Sequence, residues 1–163
     1  MFREMRRSKQ ALSHQECVAI LNKCTSGVLA VSGDDDYPYA IPISYVYDGT
    51  KLYFHSAKSG HKLDAIKRNS KVSFCVIDQD QVVPEEYTSY FRSVILFGKM
   101  RILEDEQEKR SAIEMLAIKY APNDTQTARQ KAIDKDYKPL CMMELVIDHM
   151  TGKEAIELTK AWQ

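Results

Sequence analysis

The sequence contains no long apolar run. No stretch approaches the roughly 20 consecutive apolar residues that a membrane-spanning helix needs. The basic residues near the N-terminus, in the segment MFREMRRSKQ, are not followed by the apolar segment that a secretory signal carries. We therefore expect no membrane partner and a cytoplasmic location.

The chain also has no excess of charge of either sign. Its 23 Lys and Arg residues balance its 23 Asp and Glu residues, so the formal net charge is zero. A chain without a basic excess gives no reason to expect nucleic acid as a partner. A neutral chain does, however, self-associate readily.

Cysteine is scarce and follows no recognised pattern. None of the four cysteines stands in a C-x-x-C pair, and their neighbours are mostly apolar. This favours buried thiols in a reducing compartment over a disulfide framework. The spacing of the cysteines and the four histidines does not match a metal site, so we expect no metal.

Familiar catalytic fingerprints are missing as well. The chain has no Ser-His-Asp order, no Walker loop and no Rossmann glycine fingerprint, and no internal repeat. Catalysis by one of these arrangements is therefore not predicted.

What the chain does contain is a succession of strand patterns. Its 163 residues suffice for one domain with a core, and we expect a single domain over residues 1–163. Six segments predict strands: residues 27–32, 39–47, 51–56, 71–78, 92–103 and 140–149. Turns separate most of them, which favours a mainly β fold with an antiparallel sheet that closes on itself.

Helices are predicted only around this sheet. Ser13 and Glu16 have the spacing of a capping box and predict a helical N-terminal segment over residues 13–24. Residues 104–135 predict a helical insertion, broken at Pro122. Its first helix turns four side chains inward: Ile113, Leu116, Ala117 and Tyr120.

Three irregular features complete the pattern. Residues 79–91 lack periodicity and predict a functional loop. Gly98 predicts a bulge or a close backbone approach within a strand. Gly152 predicts a turn after the last strand.

The most informative stretch is residues 39–69. It predicts a hairpin with a turn at Asp48-Gly49, followed by a Gly-containing, Lys-bearing start of a helix. Unpaired N–H groups at a helix N-terminus attract anions, so this junction predicts a phosphate site. Its candidate residues are Ser56, Lys58, Ser59, Gly60 and Lys62. The alternative is a plain hairpin followed by a solvated helix.

Two segments in this order carry a family resemblance: YPYAIPISYVYDGTKLYFHSAKSGHKLDAIKRNSKVSFCV and VVPEEYTSYFRSVILFGKMRILED. The region from about residue 27 to 105 resembles the nitroimidazole-resistance-type proteins of the pyridoxamine-phosphate-oxidase-like flavin split-barrel superfamily. The resemblance implies a six-stranded antiparallel split β-barrel. It also implies a homodimer that holds flavin mononucleotide (FMN) at the subunit interface.

The resemblance assigns roles to individual residues. The edge of the isoalloxazine ring would lie along Ile41, Pro42, Ile43 and Ser44, and its floor would be His55, Ser56 and Ala57. The phosphate would bind Lys58 and Lys62, with Ser59, Gly60 and His61 around them. Arg92 and Ser93 would lie near the cofactor, and His55 is the candidate catalytic residue.

Each role has a plainer alternative. Ser44, Ser56 and Ala57 are small enough to be packing residues, and Lys62 could be solvated. Arg92 could pair with Glu85 or Glu86 across its own loop. His55 could be structural. Three aromatic residues would cover the flavin or, as we favour, lie at the subunit interface: Tyr87, Tyr90 and Trp162.

The apolar pattern of two strands also predicts that the chain pairs with a second copy of itself. Residues 39–47 and 92–103 are apolar at both parities, so both of their faces need cover. A two-fold axis that pairs these faces would give a symmetric dimer.

Two classes of function follow. The first is a flavin-dependent oxidoreductase that passes electrons from a reductant to a small acceptor such as a nitro compound. The second is a non-catalytic module that holds flavin or haem. Pyridoxamine 5'-phosphate oxidase activity is a weaker third reading, because a second phosphate would need further basic residues near the C-terminus and that segment offers only Lys153 and Lys160.

Overall fold

A computed structural model describes residues 1–159 of the chain, and its fold is mainly β with flanking helices, as predicted. The strands are β1 (Ser26–Ser32), β2 (Pro38–Ser44), β3 (Val46–Tyr47), β4 (Lys51–Ala57), β5 (Lys71–Val83), β6 (Thr88–Ile102) and β7 (Leu140–Glu154). The helices are α1 (His14–Lys23), α2 (His61–Arg68), α3 (Glu106–Tyr120) and α4 (Gln126–Asp136). None of these helices is long and apolar enough to cross a membrane.

The strands form one antiparallel sheet in the order β2-β1-β5-β6-β7-β4-β3. The single strand predicted over residues 39–47 is in fact two strands, β2 and β3, which lie at opposite edges of the sheet. Only Tyr45 separates them, so the sheet curls until its two edges approach each other. No ladder joins those edges within residues 1–159, and the barrel is therefore split.

Tyr45 is the reason that the strand count is seven rather than six. Its side chain is fully buried, and its hydroxyl donates a hydrogen bond of 2.9 Å to the carbonyl oxygen of Leu21 in α1. Its backbone N–H bonds to Thr25 rather than to a partner strand. A strand that changes edges at a buried residue stays apolar on both sides of the break, so its sequence pattern shows no interruption.

The core fills the inside of the curled sheet. Side chains alternate along β4, where Leu52 and Phe54 are buried and their neighbours lie on the other face. The rings of Tyr45 and Phe54 both meet Phe74 edge-on, at centroid distances of 5.2 and 5.1 Å. Burial of each such side chain contributes roughly 1.5–3 kcal/mol. We call the opposite side of the sheet the outer face.

The loop predicted over residues 79–91 is a β-ribbon instead. Strand β5 continues to Val83 and β6 begins at Thr88, and these two residues are paired. A short turn over Pro84–Glu86 connects them. The ribbon extends beyond the core, so its side chains are not selected to alternate, and the pattern of a strand is missing.

Glycine positions in β6 and β7 gave one correct and one wrong prediction. The register of β6 against β7 shifts between Phe97 and Gly98, and a Cβ at Gly98 would collide with the backbone of Val146. The predicted bulge is thus confirmed. Gly152 lies inside β7 rather than in a turn, because a Cβ there would collide with Cys17 of the helix that packs on it.

The predicted helices are present and capped. Ser13 and Glu16 form the expected capping box, with Oγ of Ser13 accepting from the Glu16 N–H at 3.2 Å. In the insertion, Asp105 and Thr125 cap α3 and α4 in the same way. Both helices lie between β6 and β7 in the chain, so they add to the barrel without interrupting the sheet.

Candidate functional site

Helix α2 follows β4 in the chain and contacts the β1–β2 hairpin. Its first residue, His61, stacks on Tyr39 of β2 at a centroid distance of 4.1 Å, and its Nε2 lies 3.5 Å from Oδ2 of Asp34. Arg68 near its other end pairs with the same carboxylate at 3.1 Å. We call the region formed by β2, the end of β4, residues 58–60 and the start of α2 the α2 corner.

Strand β2 contributes an exposed backbone edge to the α2 corner. Ile41 and Ile43 pack against the core, Pro42 is exposed on the outer face, and Ser44 is half-buried. Because β2 is the last strand on its side of the sheet, the backbone groups along its free edge have no ladder partner among residues 1–159. These groups are available to a ligand.

The start of α2 is suited to an anion. Gly60 precedes the helix with φ of +135°, a conformation that side chains disfavour. Its carbonyl accepts hydrogen bonds from the N–H groups of Leu63 and Asp64, at 3.0 and 3.2 Å, and no side chain caps the helix. The N–H groups of the first turn are therefore directed outward without an acceptor in the helix.

Two lysines without ion-pair partners flank this helix start. Within residues 1–159 neither Lys58 nor Lys62 has a carboxylate within ion-pair distance. Burial raises the pKa of the Cys141 thiol in β7, and the charges of Lys109, Lys67, Lys58 and Lys62 each oppose that rise. Four ammonium groups thus act on one point at the end of β4 and the start of β7.

One polar group in the α2 corner lacks a partner. The hydroxyl of Ser56 is buried and makes no hydrogen bond within the described residues. Ser56 pairs with Cys141 across β4 and β7, where the four lysine charges converge. An unpaired buried hydroxyl costs about 1–3 kcal/mol, so a ligand that accepts a hydrogen bond from it would recover that energy. The residues present therefore fit a phosphate group.

His55 lies on the outer face of β4, next to helix α3. Its ring meets that of Tyr120 edge-on at 6.5 Å, and it pairs in register with Met142 of β7. Burial and then the charge of Lys62 lower the pKa of His55, so the imidazole is neutral at neutral pH. Its ring nitrogens have no hydrogen-bond partner among residues 1–159.

Arg92 and Ser93 are not in the α2 corner of their own chain. Arg92 pairs in register with Glu154, whereas His55 pairs with Met142, twelve positions away on β7. At about 3.3 Å per residue, this is about 40 Å of strand. Along β7, Arg92 and Ser93 therefore lie far from His55 at the end of β4.

The side chain of Arg92 is held by two carboxylates. Its Nη2 and Nε donate to Oε2 of Glu154 at 2.8 and 3.1 Å, and its Nη1 lies 3.9 Å from Oδ2 of Asp78. The alternative partners Glu85 and Glu86 are thus wrong. Neither Glu154 nor Asp78 could be predicted from spacing, because both lie outside the turn that Arg92 follows.

Exposed apolar side chains lie next to one another on the outer face of the sheet. Val28 pairs with Cys75, and Cys75 pairs with Ile95, so the three lie side by side across β1, β5 and β6. Val28, Ile95 and the nearby Ile77 are between 37% and 60% exposed. In β6, Ile95 and Phe97 are exposed while Val94 and Leu96 are buried, so the two-sided apolar character predicted for residues 92–103 is present.

Two of the three candidate aromatic residues lie in the ribbon. Tyr87 is almost fully exposed at its turn, and the hydroxyl of Tyr90 donates to Glu86 at 2.8 Å. Trp162 lies outside the described residues. Within that described part, no group of three or more His, Cys, Asp or Glu side chains could hold a metal ion.

A sheet that curls until its edges meet at one residue, with a cationic strand-to-helix junction at its end, defines a split β-barrel of the predicted type. The family model described as pyridoxamine 5'-phosphate oxidase matches residues 13–154 of this chain. The chain belongs to that family, which confirms the resemblance predicted from its sequence.

Solved structures that share this fold include the following three. A protein proposed to confer 5-nitroimidazole antibiotic resistance in Bacteroides thetaiotaomicron has a TM-score of 0.72 and 22% identity, over 88% of this chain and 86% of that one. The conserved hypothetical protein Rv2991 from Mycobacterium tuberculosis has a TM-score of 0.79 and 20% identity, over 93% and 90%. An FAD-binding protein from Mesorhizobium loti has a TM-score of 0.63 and 24% identity, over 90% and 97%.

One curated relative is similar in sequence. The uncharacterized protein RA0666 of Rhizobium meliloti (strain 1021) is 30% identical over 94 residues. The match spans 58% of this chain and 57% of the relative's length.

Proposed function

We propose that this protein is an FMN-binding oxidoreductase that works as a homodimer in the cytoplasm. The observation that carries the proposal is the α2 corner, where lysines without carboxylate partners, an unpaired buried hydroxyl and an uncapped helix start converge. Membership of the family supports it, and so does the FAD-binding protein that shares the fold.

The phosphate of the cofactor binds at the start of α2. Lys58 and Lys62 donate charge-assisted hydrogen bonds to its oxygens, and the first-turn N–H groups and the Ser56 hydroxyl complete the set. Ser59, Gly60 and His61 shape the loop, and the Tyr39 ring fixes His61. Each of the charge-assisted bonds contributes roughly 1.5–3 kcal/mol.

The ring of the cofactor lies along β2. The backbone from Ile41 to Ser44 offers unpaired donors and acceptors to the ring heteroatoms along the free edge of the sheet. His55, Ser56 and Ala57 at the end of β4 form the floor of this site.

A second copy of the chain completes the site. Arg92 and Ser93 lie about 40 Å along β7 from the residue that faces His55, so we assign them to the cofactor held by the partner subunit. The exposed apolar side chains that lie side by side on β1, β5 and β6 form a surface that a symmetric dimer would bury. Sedimentation at low micromolar protein tests this, since a monomer that keeps its flavin contradicts a shared site.

When bound, the flavin supplies electron transfer between a reduced nicotinamide and a small acceptor such as a nitro compound. The chain controls access and protons. The neutral imidazole of His55 donates a hydrogen bond to the acceptor. His55→Ala should therefore keep the flavin but lose most of the reductase activity.

The alternative is a module that holds flavin or haem without turnover. The unpartnered imidazole of His55 favours the enzyme, because a storage module needs no hydrogen-bond donor to an acceptor at this position. For a true pyridoxamine 5'-phosphate oxidase, one of the two lysines considered for a second phosphate, Lys153, lies over the ring of Phe91 at 5.4 Å. The other, Lys160, lies outside the described residues.

The test combines purification with turnover. We expect purified protein to carry flavin, and to oxidise NADH or NADPH when nitro compounds or other small acceptors are supplied. A colourless preparation that takes up neither FMN nor FAD contradicts flavin binding. A preparation that holds flavin but is inactive with every donor and acceptor supports the module instead.

A further inference from the structure

A cavity lies between the outer face of β4 and the two helices of the insertion. Its volume is about 240 Å³. It is lined by nine residues of β4, α3, α4 and the start of β7: His55, Ile113, Leu116, Ala117, Tyr120, Ala132, Ile133, Asp136 and Leu140. The function proposed above assigns no role to this space beyond His55.

Small side chains on the two helices leave the space open. Ala117 of α3 and Ala132 of α4 both line it, while Leu116 and Ile133 are buried beside it. Leucine at either alanine position would fill part of the volume. The insertion therefore packs on β4 without closing the space between the elements.

The walls suit an uncharged molecule. Seven of the nine lining residues present carbon or aromatic surface, and the polar groups are the His55 ring, the Tyr120 hydroxyl and the Asp136 carboxylate. The carboxylate disfavours an anion. The charge of Lys62, which lowers the pKa of His55, disfavours a cation near the ring.

The size limits the occupant further. An engineered apolar cavity of about 150 Å³ holds one benzene ring, so about 240 Å³ accommodates one or two rings. A folded segment of a partner protein does not fit into a volume of this size. The edge-on contact of Tyr120 with His55 offers an aromatic wall for such a ring.

We propose that this cavity binds a small uncharged aromatic molecule of one or two rings, whose polar atom hydrogen-bonds the His55 imidazole. The site is distinct from the phosphate site, because His55 lies on the outer face of β4 and Ser56 on the inner face. Because His55 also meets the acceptor in the function proposed above, this inference rests on that function at His55, and it is tested by binding rather than by turnover so that the two can fail separately.

The probe is indole, titrated by calorimetry against the purified protein at neutral pH, with benzoate as the charged comparison. We expect indole to bind with a Kd below about 1 mM, and benzoate at least about tenfold more weakly. Absence of indole binding at its solubility limit, or equal binding of benzoate, overturns the proposal.

A matched pair of alanines on α4 locates the site. Ala132 lines the cavity, whereas Ala128, one turn earlier, is also exposed but does not. Ala132→Trp should weaken indole binding at least about tenfold, and Ala128→Trp should leave it unchanged. Unchanged binding to Ala132→Trp overturns the proposal. If that variant does not fold, the smaller Ala132→Leu makes the same test.

A second variant tests the hydrogen bond. His55→Phe keeps a ring at the same position but removes both nitrogens. It should bind toluene as the native protein does and bind indole at least about fivefold more weakly. An equal loss for both probes, or no loss for either, contradicts the role of the imidazole.

Discussion

Two charged regions of this molecule differ in how their charges are balanced. Along β7, Glu144 and Glu154 are almost fully buried, and each is paired with an arginine. At the α2 corner, Lys58 and Lys62 have no carboxylate partner within residues 1–159. The paired charges hold strands together, whereas the unpaired charges remain available to a ligand.

This difference changes how basic residues in such a chain are interpreted. The resemblance in sequence assigns both Arg92 and Lys62 to the cofactor, yet Arg92 already has two acidic partners in its own chain. A cation that is already neutralised gains less from a phosphate than one that is not. The α2 corner is therefore the stronger candidate for the anion.

The largest expected effect is the loss of the most buried pair. Glu144 accepts from Arg101 at 2.8 Å and from Lys51 at 3.2 Å, and its side chain is 3% exposed. Glu144→Gln should lower the free energy of unfolding by about 3 kcal/mol, because two cations lose their partner in a buried site.

The control for this variant changes the other carboxylate that pairs with Arg101. Glu108 also pairs with Arg101, at 2.9 Å, but its side chain is 47% exposed. Glu108→Gln should cost about 0.5 kcal/mol. Urea unfolding of both variants checks the difference, and equal losses would show that burial does not separate the two pairs.

The second effect concerns the unpaired lysines. Lys62→Glu should weaken flavin binding by well over about tenfold, because an attractive charge becomes a repulsive one at the phosphate. The free energy of unfolding should stay within about 0.5 kcal/mol of the native value. Lys131→Glu, on the exposed side of α4, is the control, and fluorescence titration with FMN measures both. Equal affinities would place the phosphate elsewhere.

The third variant tests the pair that holds Arg92. Glu154→Gln should lower the free energy of unfolding by about 2 kcal/mol, since the neutral amide leaves Arg92 with only the longer contact to Asp78. Glu85→Gln, which changes an exposed carboxylate in the ribbon turn, should cost nothing measurable. A larger loss of stability in Glu85→Gln than in Glu154→Gln would instead support the pairing of Arg92 with Glu85 that the sequence alone allows.

Acid pH should also reduce the stability that the buried pairs along β7 contribute, by less than the substitutions above. Burial alone would raise the pKa of Glu144, but hydrogen bonds from Arg101 and Lys51 outweigh it, so its folded-state pKa lies below the usual 4.5. The stability that Glu144 contributes is therefore present above about pH 4.5 and is lost as the pH falls through the lower folded-state value. The stability difference between the native protein and Glu144→Gln should shrink in that range. A constant difference would rule out the proton linkage.

The smallest effect is that of salt. Raising sodium chloride from about 0.05 M to about 0.5 M should weaken flavin binding several-fold, since the lysines of the α2 corner are partly exposed to solvent. Urea unfolding should change little over the same range, because the pairs along β7 are shielded. An affinity that is independent of salt would point to the ring rather than the phosphate as the main contact.

Much of the fold followed from local patterns. The capping box at Ser13, the turn at Asp48-Gly49 and the bulge at Gly98 all involve residues close in sequence, so spacing predicted them. The division of residues 39–47 did not follow, because it depends on where Tyr45 meets α1. The ribbon over residues 79–91 was missed because its strands have no core to face.

In the candidate site, too, features local in sequence could be predicted and features that join distant elements could not. Residues 55–62 are contiguous, and the junction they form could be predicted from sequence. The pairing of Arg92 with Glu154 and the cavity beside His55 join elements far apart in the chain, which spacing does not reveal. The Tyr39–His61 stack is of the same kind, since it depends on how α2 returns to the hairpin.

The pairing of β4 with β7 has a consequence for the order of folding. Lys51 pairs with Val146 and Ala57 with Leu140, whereas β5 and β6 are joined by a short turn. Closing a long loop costs more chain entropy than closing a hairpin, so the β5–β6 hairpin forms early and the β4–β7 ladder late. Ser56 and Cys141 meet only in that late ladder. A nascent chain therefore acquires the α2 corner in one of the last steps, after most of the barrel is already in place.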